Sequence, residues 1–429
     1  MKTPKGTYDI LPSTHSPEIW QHAELRAHVD TILDQLSTEH GYRKLTTPIF
    51  EETVLFDKSG EDTDIVQKEM YTFTDKGNRS MTLRPEITPA TVRALLQHRF
   101  FADQMKGMFY YNGPAFRYER PQSGRYRQFH QYGVEVFGDG SALCDTQVIA
   151  YANTIMNTLC DTKQLTLIIN TLGDTSSRKE YRTALTAYFN DHKHDLSEDS
   201  QKRLTSNPLR ILDSKHPKDK ALLSQAPHIH DYLSDNSRDH FNQLKDQLTH
   251  LNIPFELNAH LVRGLDYYTD TVFEITHGHD RAQNSILGGG RYDGLVQSMG
   301  GPSTPAVGFA FGIERLISAL HSDIIDSCMP SDPLLMIVPI DTNAQLFCLD
   351  IAKTCSTHHI RHFISETTTL KKMGNMIKKA LKQNVTHITF VGSDESTSQT
   401  FDVKELATKQ TQNCQCDILH QTLTKGISS

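Results

Sequence analysis

Residues 117–127 hold Arg117, Arg120, Arg125 and Arg127 around a single acid, Glu119, within the longer run FRYERPQSGRYRQFHQYGVEVFG (116–138). The whole chain of 429 residues carries a formal net charge of −7, so this positive charge is a local feature. A solvated basic hairpin would interleave acids with its arginines, and this one does not. The planar forks of arginine favour phosphate. In the second half of the run Gln131, Gly133 and Glu135 alternate onto one strand face, and His130, Tyr132, Val134 and Val136 onto the other. An amide, a gap and a carboxylate in one row suit a small polar ligand lying across the strand. Arg117 and Glu119 share a face of the first half.

Two further clusters have the residue types for the same chemistry. In LVRGLDYYTDTVFEI (261–275) an Arg263-Gly264 turn precedes Tyr267 and Tyr268. Adjacent strand residues face opposite sides, so at most one of these tyrosines is expected in a given pocket. LGGGRYDGLVQSMGG leads to TPAVGFAFGIERLISAL, which is neither a P-loop nor a dinucleotide fingerprint. Gly288–Gly290 are expected to let a ligand approach the backbone closely. Gly308 and Gly312 precede a helix with Arg315 in its first turn, and a helix N-terminus beside an arginine favours an anion. Arginines beside glycine-rich strands, with an acid and an amide at hand, point to nucleotide phosphate chemistry on an antiparallel sheet.

The positioning elements follow from periodicity and punctuation. Residues 16–40 read as a helix with Ser16 and Pro17 at its start. YRKLTTPIF reads as one strand in which Pro48 marks an edge or interface. MYTFTDKGNRSMTLRPE reads as a hairpin turning at DKGN. TPATVRALLQHRF reads as a helix with Thr88 as N-cap and Pro89 at the first helical position. Glu86 therefore stands at a strand-to-helix junction. LTLIIN (165–170) is a buried strand, and residues about 174–252 form a polar helical insertion. Its His192/His194 and His228/His230 pairs have poor ligand spacing for a helix and read as surface histidines. Strands return over 255–320. HSDIIDSCMPSDP is a linker, and 332–429 alternate strand and helix as a separate α/β unit. Lys371, Lys372, Lys378, Lys379 and Lys382 make a basic helical surface there.

Length allows two or three domains. Seven scattered cysteines without a CxxC pair indicate neither a zinc site nor a disulfide framework, and suit a reducing cytoplasm. The protein spacing supplies no metal site. The N-terminus has no apolar leader and no stretch approaches a membrane span, so a soluble, cytoplasmic protein is expected.

The chain resembles the histidyl-tRNA synthetase family of class II aminoacyl-tRNA synthetases, essentially over its full length from KGTYDILP onward. The first helix and the Pro48 strand resemble class II motif 1, a dimer-interface element. FRYERPQSGRYRQF resembles motif 2, GFAFGIERL resembles motif 3, and LVRGLDYYT and GGGRYDGL resemble two signatures peculiar to the histidine enzymes. The resemblance implies an α+β catalytic domain at 1–325 with a mixed, mainly antiparallel sheet, and a C-terminal α/β anticodon-binding domain at 332–429. It implies activation of L-histidine by ATP with Mg²⁺, transfer to histidine tRNA, and a homodimer. By motif matching, Glu86 and Thr88 hold the α-amino group with help from Gln131. Arg117 and Arg263 contact the carboxylate and α-phosphate. Glu135 with Tyr267, Tyr268 and Tyr292 forms the histidine side-chain pocket, with Tyr268 or Tyr292 on the imidazole. Arg315 contacts the γ-phosphate, and Glu119 and the basic tip, including Arg125, meet ATP and the tRNA acceptor end. The sequence departs from the family at Ile87, where glycine is frequent, and in the glycine-poor run before the lysine helix. The rival reading is a non-catalytic regulatory subunit of ATP phosphoribosyltransferase. Such proteins generally lack the C-terminal domain and several motif arginines, whereas Arg117, Arg263, Arg315 and residues 332–429 are all present. The absence of Cys/His zinc ligands argues against the threonine enzyme.

Overall fold

The computed structural model describes every residue except 14, 17, 58–68, 104–105, 121–123, 215, 263–266, 279–284, 329–332 and 425–429. Arg263, with the rest of the RGLD turn, therefore lies outside the described residues. The chain divides into two compact units, Met1–Leu11 with Pro17–Ile325, and Pro12–Ser16 with Asp326–Ser429.

The strands of the first unit are β1 (Arg43–Lys44), β2 (Phe50–Glu52), β3 (Tyr71–Thr74), β4 (Ser80–Leu83), β5 (Gly107–Phe116), β6 (Gln128–Phe137), β7 (Leu165–Thr171), β8 (Glu256–Leu257), β9 (Thr269–His277), β10 (Ser285–Arg291) and β11 (Ala306–Gly312). Eight of them form one sheet in the order β1-β5-β6-β11-β10-β9-β7-β8. Only the edge pairs β1–β5 and β7–β8 are parallel. The others are antiparallel, as expected for a mixed, mainly antiparallel sheet. β2, β4 and β3 make a small separate antiparallel sheet.

β6 shows how sequence alternation becomes two functional faces. Tyr132 is fully buried beneath two helices, and its hydroxyl bonds Ser37 of the Ala23–Glu39 helix at 2.7 Å and Tyr151 of the Ala142–Leu159 helix at 3.0 Å. On the opposite face Gln131 and Glu135 line an open cleft. Asp145, on the Ala142–Leu159 helix and fully buried, fastens that helix to the sheet. It accepts from Arg291 Nη2 at 2.6 Å, Thr271 Oγ1 at 2.6 Å and His240 Nε2 at 2.7 Å. A buried charge is tolerated here because opposite charge and donors surround it. His240 belongs to the Asp235–His250 helix, which packs on Ala142–Leu159. The helical segment before it has its own core of Tyr181, Leu185, Phe189, Ile211 and Leu233.

Three local expectations are corrected. The first long helix runs Ala23–Glu39, not from 16. His22 is its N-cap, and Leu11 pairs with the backbone of Gln21 and Ala23, drawing the preceding residues into an extended bridge and a short 3-10 turn. YRKLTTPIF is not one strand. It breaks between β1 and β2, which belong to different sheets, and Pro48 lies at the crossing. Buried Arg84 holds that crossing: its Nη1 donates to the Thr47 carbonyl at 3.0 Å and to that of Pro48 at 3.3 Å. Thr88 is the first helical residue rather than the N-cap, which is Ile87. Ile87 itself is buried, and its N–H donates to Gln131 Oε1 at 3.1 Å.

In the second unit β12 (Leu334–Pro339), β13 (Arg361–Ile364), β14 (His387–Val391), β15 (Phe401–Glu405) and β16 (Thr411–Cys414) form a mixed sheet in the order β13-β12-β14-β15-β16. β12 is parallel to both neighbours, and β14, β15 and β16 are antiparallel. One face packs Leu335 and Ile337 against Phe347, Cys348 and Ile351 of the Gln345–Thr357 helix. On the Met373–Lys382 helix Met376 and Ala380 face the core, while Lys378, Lys379 and Lys382 are exposed. Glu366 approaches Lys379 at 2.6 Å, but both side chains are mostly solvated, so the pair contributes little to stability. The cysteines are free, and five of them are buried.

Candidate active site

A cleft of about 830 Å³ opens on the uncovered face of the large sheet. Glu86, Thr88, Arg117, Glu119, Arg125, Gln131, Glu135, Tyr267, Tyr268, Tyr292 and Arg315 all line it. Of the site residues singled out in the sequence, Arg263 alone is outside the described residues.

The floor is a network of buried carboxylates and hydroxyls. Glu135 is 1% exposed. It accepts from Thr88 Oγ1 at 2.5 Å, from Tyr111 OH at 3.1 Å, and from Tyr292 OH. Glu86, 5% exposed, accepts from Tyr267 OH at 3.1 Å. Burial pushes Glu86 up to about 7, against the pull of Arg117 and the Tyr267 hydrogen bond. Burial likewise pushes Glu135 up to about 7, against its three hydroxyl donors and with a smaller push from Glu86. Both acids are therefore poised to ionise fully when a cationic or N–H-donating ligand arrives.

The other end is cationic. Arg117 donates through Nε to the Pro85 carbonyl at 2.9 Å, and its guanidinium lies 5.3 Å from the Phe129 ring centroid. Glu119 sits 3.3 Å from Arg125 and 4.0 Å from Arg117, so one acid serves two arginines. Arg315 bonds only carbonyls in the network described, Gly124 at 3.0 Å and Ser285 at 2.9 Å. Burial, then repulsion from Arg125, lowers its pKa. Such repulsion at Arg315 is relieved when an anion binds. The other arginines of the run stand apart: Arg127 stacks 3.9 Å from the Tyr118 centroid, and Arg120 is exposed.

Two expectations about this face change. The gap at Gly133 is not ligand space. β5 pairs Tyr111 with Gly133, and a Cβ there would collide with the Tyr111 hydroxyl, which reaches over to Glu135. Gly308 makes the same kind of room for the Glu135 carboxylate. Both glycines admit a side chain of the site itself. Tyr267 and Tyr268 both line the cleft, because they precede β9 rather than sit within it, and strand alternation does not apply. Sequence reasoning missed Tyr111, whose signal lay in its register opposite a glycine. It also missed Glu314, which lines the cleft beside Arg315.

A mainly antiparallel sheet with helices behind it and a cleft joining buried acids to arginines defines a class II synthetase-like protein. The comparisons narrow this. The family model described as “Histidyl-tRNA synthetase” matches residues 15–316, and that described as “Anticodon binding domain” matches 335–425. A histidine–tRNA ligase of Protochlamydia amoebophila (strain UWE25) is 41% identical over 424 residues, covering 98% of this chain and 98% of that protein. One from Thermosynechococcus vestitus (strain NIES-2133 / IAM M-273 / BP-1) is 44% identical over 410 residues, covering 95% of this chain and 92% of that protein. The apo S. aureus histidyl-tRNA synthetase structure superposes with a TM-score of 0.79 at 34% identity, covering 99% of both chains. The chain belongs to the histidyl-tRNA synthetase family.

Proposed function

We propose that this chain activates L-histidine with ATP, forming histidyl-adenylate and pyrophosphate, and then transfers the histidyl group to the 3′ end of histidine tRNA. The observation that carries the reading is the meeting of buried Glu86 and Glu135 with Arg117 and Arg315 in one cleft. In adenylation a carboxylate attacks the α-phosphorus. Both reactants are anions, so fixed cations must offset their repulsion and hold them in line.

In this reading Glu86, with Thr88 and Gln131, receives the α-amino group, and Arg117 and Arg263 bridge the histidine carboxylate and the α-phosphate. Glu135 accepts the imidazole N–H within the ring wall of Tyr267, Tyr268 and Tyr292. Glu119 and Arg125 meet ATP, and Arg315 takes the γ-phosphate. Mg²⁺ arrives with the nucleotide as substrate. Among the described residues no group of three or more His, Cys, Asp or Glu is arranged to hold a metal ion.

Residues 332–429 are read as the anticodon-binding domain, with the lysines of Met373–Lys382 on its RNA-facing surface. Their presence speaks against the regulatory-subunit reading. The exposed Ile49, Phe50, Val54 and Phe73 suit a homodimer interface. No helix among the described residues is long and apolar enough to cross a membrane, and we place the enzyme in the cytoplasm. ATP–pyrophosphate exchange, run with each amino acid in turn and without tRNA, tests the reading. Exchange is expected with histidine alone, and its absence in folded protein with Mg²⁺ sinks the proposal.

A further inference from the structure

The β5–β6 connection, which includes Gly124 and Arg125, is held from outside the sheet by residues near the start of the chain. Arg127 N–H donates to the Gly6 carbonyl at 2.7 Å. Tyr126 packs against Trp20, with centroids 4.7 Å apart, and against Tyr8 at 5.0 Å. Tyr8 and Trp20 also meet edge to face at 4.6 Å. Backbone hydrogen bonds from Leu11 to Gln21 and from Ala23 to Leu11, at 3.1 and 2.9 Å, brace these two rings' segments against each other.

Tyr8 reaches a second element. Its hydroxyl donates to Glu314, a buried carboxylate that also accepts from Arg26 Nη1 at 3.1 Å and from His130 N–H at 3.1 Å. Glu314 immediately precedes Arg315, whose Nε grips the Gly124 carbonyl in the β5–β6 connection. The same ring cluster therefore contacts the connection through Tyr126 and the Arg315 helix through Glu314. Among the described residues lining the cleft are Tyr126, Glu314 and Arg315, but not Tyr8 or Trp20.

We infer that Tyr8 and Trp20 are positioning residues for the nucleotide end of the cleft, a strap that presets residues 124–127 and Arg315 before ATP binds. The inference rests on the nucleotide-activating reading above. Holding Gly124, Tyr126 and Arg127 in place in advance removes the entropy cost of ordering them from the binding step, so loss of the strap weakens nucleotide binding selectively.

Trp20 is the single tryptophan of the chain, so its emission reports on this cluster alone. Because the cluster is set before ATP binds and Trp20 does not line the cleft, saturating MgATP should leave Trp20 emission of the full-length protein nearly unchanged. Trp20→Ala should raise the ATP KM by about tenfold, which is about 1.4 kcal/mol. Tyr8→Phe keeps the ring, loses only the hydroxyl on Glu314, and should act in the same direction. In both, the histidine KM should stay within about twofold, as selective loss of nucleotide binding requires. Trp20→Phe should recover most of the loss. A large emission shift that tracks MgATP saturation in active protein, showing that the cluster is set only when nucleotide binds, overturns the inference. So do variants that leave the ATP KM unchanged, or that raise both KM values alike. Failure of the underlying reading looks different, because wild type then shows no histidine-dependent exchange at all.

Discussion

Replacing Glu135 by glutamine separates what the cleft asks of this carboxylate from what the fold prefers. In the empty protein burial holds its pKa at about 7, above an ordinary value of 4.5, with Thr88, Tyr292 and Tyr111 pulling the other way. The folded state thus binds this proton more tightly than the unfolded chain. That contribution to stability is complete below about pH 4.5 and is lost as pH rises through about 7. A rise from 4.5 to about 7 corresponds to on the order of 3 kcal/mol. Glutamine cannot ionise and does not suffer the loss. Glu135→Gln should therefore gain roughly 2–3 kcal/mol relative to wild type between pH 5 and pH 8. At pH 5 it should be no more stable than wild type, because its amide N–H₂ must lie among three hydroxyl donors. In kinetics the sign reverses. If Glu135 accepts the imidazole N–H as proposed, losing that charged acceptor should raise the histidine KM by about two orders of magnitude, roughly 3 kcal/mol. The ATP KM should move by less than about threefold. Urea unfolding of the ligand-free protein at pH 5, 6.5 and 8, beside exchange kinetics at pH 8, measures both. A stability difference that does not change with pH, or a histidine KM within about twofold of wild type, would refute the reasoning.

Arg263→His should slow single-turnover adenylate formation by roughly two to four orders of magnitude, about 3–5 kcal/mol, with much smaller changes in either KM. A rate within a few-fold of wild type would end the assignment of Arg263 to the carboxylate and α-phosphate. Lys378→Ala with Lys382→Ala should leave exchange untouched while tRNA affinity falls and the slope of log affinity against log salt drops by about two. An unchanged slope would show that this helix face does not meet RNA.

Much of the site was readable from local pattern. Alternation along a strand is a property of the backbone, so Gln131 and Glu135 could be placed on one face before any neighbour was known. Arginines with too few acids beside them mark an anion-binding region wherever the chain takes them, and the arginine-rich and glycine-rich motifs named the family. Local rules failed where a distant partner outbid them. Thr88 has the chemistry of an N-cap, yet its hydroxyl goes to Glu135, 47 residues away. The YRKLTTPIF segment alternates like one strand, but its two ends pair with different sheets.

Other features have no local signal at all. Which face of β6 is covered depends on helices that arrive from both sides of it in the chain, through Ser37 and Tyr151. The ring that fills the gap at Gly133 depends on the β5–β6 register. Glu314 gathers Tyr8, Arg26 and His130 across separations of 306, 288 and 184 residues. A residue's type and spacing set what it can do, because those are properties of the side chain and of a few neighbouring peptide bonds. The partner it finds depends on long-range packing, where burial and unsatisfied polar groups are resolved across the whole fold at once.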